Sequence, residues 1–136
     1  MAAGTFITAV NCMDGRVQEP VVAWMKQRFE ADYVDMITEP GPDRIMTAGP
    51  PEERESIRRR VDISVNVHHS RVVAMVVHHD CAGFPVSRPQ HLAALQECIN
   101  TIESWVPEVR VLGLWVGEDW QVELISDSHG ASSSPP

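Results

Sequence analysis

The segment Arg71–Val77, RVVAMVV, constrains the fold more than any other part of the chain. Six consecutive apolar residues with β-branched character leave no polar face, so a strand built from them is buried on both sides. Such a strand belongs to the middle of a parallel sheet covered by helices, which requires helical segments on either side of it in sequence. Thr5–Asn11 (TFITAVN) and Tyr33–Thr38 (YVDMIT) read as two earlier strands, and Val109–Val116 as a later one. Between them, Val21, Val22, Met25 and Phe29 repeat at helical spacing after Pro20. Ile57, Val61 and Val65 do so in a helix from Glu52 to about His69, and Leu92, Leu95, Ile99, Ile102 and Val106 in one from Pro89 to Val106. Gly117-Glu118-Asp119 before Trp120–Ile125 predicts a hairpin return of the last strand. Residues 43–52, flanked by prolines, are expected to be loop.

The expected fold is therefore α/β, a mainly parallel sheet flanked by helices with a C-terminal strand pair. It is one domain over residues 1–125, with a serine-, glycine- and proline-rich disordered tail over 126–136. At 136 residues there is room for one core and not two. A net charge of −8 argues against nucleic acid and anionic membrane partners, and no apolar stretch approaches the length of a membrane span. Met1–Val10 lacks the pattern of a secretion signal, so the expected location is cytoplasmic.

In α/β sheets, ligands bind beyond the carboxyl ends of the strands. Two polar clusters stand there, Cys12-Met13-Asp14-Gly15-Arg16 after the first strand and His78-His79-Asp80-Cys81 after the central one. Together Cys12, His78 and Cys81 supply two thiolates and an imidazole, a donor set that suits zinc and leaves a fourth tetrahedral position open. Cys98, among Leu95, Ile99 and Ile102, reads as a small core residue. The arginines at 54 and 58–60, interleaved with acids, read as a solvated helix face. His79 is expected to be partly exposed or a donor behind the ligands, and Asp80 to neutralise charge near the metal or cap the loop. His68, His69, His91 and His129 are expected at the surface or at helix ends, with proton shuttling a lesser option for His91. The four tryptophans are expected in the core or at a subunit interface.

Cys-x-Asp-x-Arg after the first strand and His-x-x-Cys after a later one, with the same order of elements over about residues 5–125, resembles the β-carbonic anhydrases. The resemblance implies zinc on Cys12, His78 and Cys81, with Asp14 and Arg16 as a hydrogen-bonded catalytic pair beside it. It implies reversible hydration of carbon dioxide to bicarbonate by zinc-bound hydroxide, and a homodimer or higher homo-oligomer. Two alternatives stay open: hydrolysis of carbon disulfide or carbonyl sulfide by the same chemistry, and a non-catalytic zinc-binding relative. The chain departs from the family pattern with Gly15 for serine or alanine and Ala82 for glycine. In the loop after the second strand, Glu39-Pro40-Gly41-Pro42 puts an acid in a position to repel bicarbonate.

Overall fold

The computed structural model describes residues 4–130. Five strands, β1 (Phe6–Cys12), β2 (Tyr33–Glu39), β3 (Val72–His78), β4 (Arg110–Val116) and β5 (Val122–Asp127), form one sheet in the order β2-β1-β3-β4-β5. The first four run parallel, and β5 returns antiparallel to β4. Four helices connect or cover them: α1 (Gln18–Phe29), α2 (Pro42–Ala48), α3 (Pro51–Asn66) and α4 (Arg88–Trp105).

The central strand is β3, and every one of its residues is buried. Its period of two divides the core. Val73, Met75 and Val77 join Ile57, Val61, Leu95, Ile99 and Ile102 beneath α3 and α4, while Ala74 and Val76 join Val21 and Met25 of α1 on the other face. Most expected elements stand within a residue or two of their places. One expectation fails: residues 43–52 hold a helix, α2, rather than a loop. Pro42 occupies the start of that helix, where its missing N–H costs nothing, and Gly41 takes the left-handed turn into it at φ 62°. Ile45 and Met46 then bury against the α3–α4 layer.

The strand pair also runs further than expected. Residues 126 and 127, placed in a tail from composition, complete β5, and Arg110 donates a two-pronged hydrogen bond to Asp127 at 2.9 and 2.6 Å. The Ser128 hydroxyl accepts from the Val111 N–H. The rest of the expected tail, residues 131–136, lies outside the described residues.

Candidate metal centre

Because β1 pairs directly with β3, the carboxyl ends of these two strands lie side by side. The loop after β1 is shaped by its own side chains. Asn11, fully buried, accepts from the Cys12 N–H and donates to the Val17 carbonyl, while Gln18 Nε2 donates to the Cys12 and Asp14 carbonyls. The Asp14 carboxylate accepts from the Arg16 N–H and so caps the 3-10 turn Gly15–Val17. On the β3 side, the His79 N–H donates to Val116 of β4, which holds the start of the second loop to the sheet.

These loops bring Cys12 Sγ, Cys81 Sγ and a ring nitrogen of His78 within 4.8 Å of one another, all three residues buried. Among the described residues this is the one group of three such donors close enough to hold a metal ion. The two sulfurs stand 4.0 Å apart as free thiols. Their chemistry fits a cation. Hydrogen bonding with the Cys81 thiol, joined by His78 and the backbone of Gly41 and Asp14, outweighs burial and brings the Cys12 pKa well below the ordinary thiol value. The same interaction, with burial, pushes Cys81 up. The pair readily gives up one proton, and a second thiolate beside the first requires a positive charge between them.

His78 satisfies the same test. Its Nδ1 lies 2.7 Å from the His79 carbonyl, which can only accept, so Nδ1 carries a proton and Nε2 is the ring nitrogen available to a metal. Nε2 is buried and has no hydrogen-bond partner. Burial disfavours the charged ring, yet the facing Cys12 sulfur and the His79 carbonyl outweigh it and raise the His78 pKa. A buried, unpartnered nitrogen aimed at two thiols has the bonding capacity a metal ligand needs.

Asp14 sits beside this cluster with both oxygens engaged by Arg16, Nε to Oδ1 at 3.0 Å and Nη2 to Oδ2 at 2.7 Å. Hydrogen bonding from Arg16 holds the Asp14 pKa down at about 2. Arg16 also reaches Asp80, through Nη1 to Oδ2 at 3.2 Å and Nη2 to the carbonyl at 3.1 Å. Asp80 thus bridges the two loops by accepting from Arg16. Beside Cys81, a cleft of about 900 Å³ opens between the second loop, the start of α4 and the β4–β5 turn.

The loop after β3 also crosses the short connection between β2 and α2. A side chain at Gly83 would place its Cβ 2.5 Å from the Pro40 carbonyl carbon and 2.6 Å from the Gly41 nitrogen, so only glycine fits there. This contact locates the Gly41 N–H next to Cys12. Glu39, expected to repel anions, instead forms an ion pair with Arg60 of α3 and presents no unpaired charge.

His91 stands in the first turn of α4, one of its expected places, but is not at the surface. It is 1% exposed, and its Nδ1 lies 2.7 Å from Oδ2 of Asp43, an equally buried acid on α2. The available signal was its position four and seven residues before Leu95 and Cys98, on the apolar stripe of α4. His68 pairs with Asp35, His79 is half-buried, and Cys98 lies in the core, where burial raises its pKa. Of the tryptophans, Trp115 is buried, and Trp24, Trp105 and Trp120 are partly covered.

A family described as "Putative carbonic anhydrase" matches the chain over residues 2–126. Among solved structures, a carbonic anhydrase from Glaciozyma antarctica superposes with a TM-score of 0.56 at 16% identity, covering 88% of this chain and 81% of that one. A tetrameric beta-carbonic anhydrase from the filamentous ascomycete Sordaria macrospora gives 0.53 at 9% identity, covering 93% and 84%. At such identities the likeness is one of fold. No curated protein sequence is significantly similar to the chain.

Proposed function

The chain belongs to the carbonic anhydrase family that matches it over residues 2–126, and from that premise we propose that it interconverts carbon dioxide and bicarbonate with one zinc ion on Cys12, His78 and Cys81. The observation that carries this reading is the convergence of two thiols, 69 residues apart in sequence, and a ring nitrogen of His78 within 4.8 Å of one another, with the His78 Nε2 buried and unpartnered. When bound, zinc supplies a water acidic enough to act as a nucleophile near neutral pH.

The remaining chemistry falls to the chain. Asp14 is ionised across the physiological range, and with Arg16 fixing both its oxygens it can accept only along its outer lone pairs. From there it would accept a hydrogen bond from a water held at the site and so orient it for attack. Arg16 keeps the carboxylate in place through a planar fork of donors. Asn11 and Gln18 fix the backbone that carries both Cys12 and Asp14, so metal site and carboxylate keep one relative position.

We place the active protein in a reducing, cytoplasmic compartment, which keeps its buried thiols free to bind metal. Among the described residues, no helix is long and apolar enough to cross a membrane. We further propose a homodimer or higher homo-oligomer. Exposed Ile63 in the last turn of α3, Val67 just past its end, and exposed Tyr33 on the edge strand β2 give it apolar surface to bury. Sedimentation at micromolar concentration tests the assembly, and a 15 kDa species alone counts against it.

The test of activity joins zinc analysis to stopped-flow hydration of carbon dioxide. One zinc per chain with hydration that rises from pH 6 to 9 is expected. Asp14→Asn should keep its zinc and lose about 10- to 1,000-fold in rate, the range for removing an oriented polar group. Zinc-replete protein without hydration activity overturns the proposal.

A further inference from the structure

Two residues other than glycine near the metal centre adopt the left-handed backbone region, Asp80 at φ 58° and Trp120 at φ 59°. For a side chain as large as tryptophan this conformation is unfavourable, and it persists only where surrounding contacts determine it. Both residues touch the same group, the Arg16 guanidinium. Asp80 accepts two of its hydrogen bonds, and the Trp120 ring lies beneath it, with the guanidinium carbon 4.5 Å from the ring centroid.

The same ring stands 6.4 Å from the His78 ring and 6.2 Å from that of His79, so Trp120 overhangs the second metal loop as well. Its own backbone is fixed by a hydrogen bond from its N–H to the Gly117 carbonyl, and the turn that carries it joins β4 to β5.

We propose that Trp120 is a positioning residue, its ring face seating Arg16 so that the guanidinium keeps its two-pronged grip on Asp14. Four of the five Arg16 N–H donors are committed, two to Asp14 and two to Asp80. Hydrogen bonds fix the guanidinium within its plane but resist tilting out of it only weakly. An aromatic face against that plane supplies the missing restraint, by cation–π attraction as well as by contact. The exposed Asp80 carboxylate, in water, does this poorly on its own. The β4–β5 turn thereby acts on a pair borne by the loop after β1, although the two are distant in sequence.

This role rests on the catalytic reading of Asp14 and Arg16, but its test separates the two. Trp120→Phe keeps an aromatic face, Trp120→Leu keeps apolar volume without one, and Trp120→Gly removes the side chain while relieving the left-handed backbone. Each variant, zinc-loaded, is measured for zinc content, melting temperature, hydration kcat and KM, and solvent exchange of the Arg16 Nε–H by nitrogen-edited NMR. Trp120→Leu is expected to speed Nε–H exchange at least fivefold and lower kcat about tenfold, with zinc content and KM unchanged, while Trp120→Phe stays within twofold of the parent in both. Trp120→Gly should lose the same activity as Trp120→Leu, and its backbone relief guards against misreading a folding defect.

Arg16 exchange in Trp120→Leu equal to that of the parent overturns the seating role, whatever the activity. Faster exchange with undiminished kcat overturns its importance for the reaction. If the parent has no hydration activity, the catalytic reading falls, and the exchange measurement alone decides whether Trp120 seats Arg16.

Discussion

His78 and His91 have the same local description and different uses. Each is 1% exposed, each engages an oxygen through Nδ1 at 2.7 Å, and each leaves Nε2 without a partner. The oxygen that His78 engages is a main-chain carbonyl, and beyond its Nε2 stand two thiols. His91 instead engages a carboxylate and is bounded by the rings of Phe84 and Trp115. Burial and hydrogen bonding of the imidazole do not distinguish the two cases; what makes His78 a candidate ligand is the pair of thiols converging on it.

The largest test of that contrast exchanges the two residues' fates. On the proposed function, His78→Ala, like Cys12→Ser or Cys81→Ser, should abolish stoichiometric zinc and lower hydration by at least about a thousandfold. His91→Leu should retain one zinc per chain. Metal analysis of the purified variants decides it, and loss of zinc from His91→Leu would erase the distinction.

Stability should rank the other way. His91→Leu strands the Asp43 carboxylate in the core, which costs about 3 kcal/mol and lowers the melting temperature by roughly 10 °C. Adding Asp43→Asn should restore part of that loss, and a double variant no better than the single one shows that the pair is not coupled.

A smaller effect sharpens how the thiol side of the contrast is supported. Gly83→Ala forces apart the crossing with Pro40 and Gly41, and with it the Gly41 N–H that faces Cys12. Zinc should bind about tenfold more weakly, the scale of losing a supporting hydrogen bond behind a ligand. Competition with a chelator of known affinity reads this directly, and unchanged affinity would detach the crossing from the metal site.

The smallest effect is on acid stability. Arg16 holds Asp14 at about 2, below its ordinary 3.8, so the pair contributes fully above pH 4 and fades as pH falls through 2. Metal-free Asp14→Asn should therefore be slightly less stable than the parent at pH 5, with the gap narrowing as pH falls from 4 toward 2. A gap as wide at pH 2 as at pH 5 would assign the difference to something other than this charge pair.

The same contrast explains what could be read before folding. His78 was legible because its partner Cys81 lies three residues away and Cys12 follows a strand that the apolar pattern places beside β3. His91 was not, because Asp43 lies 48 residues away on a helix masked by a Pro-Gly-Pro sequence that suggests only a break. The sheet and three of its helices followed from period and composition. The seating of Arg16 by Trp120 and the Gly41–Gly83 crossing did not, since each depends on how loops from separate crossovers meet in space. Glu39 shows the limit in miniature: its charge is visible in sequence, but the Arg60 that neutralises it comes from the next long helix.

The adjacency of β1 and β3 also sets a timetable. In sequence the turn Gly15–Val17, α1, β2, α2 and α3 all lie between the two strands, so Cys12 and Cys81, 69 residues apart, meet by closing a long loop and not through local contacts. On the proposed zinc site, metal capture is expected late in folding, and its rate in a refolding experiment should track the docking of β1 on β3, not the earlier gain of helix.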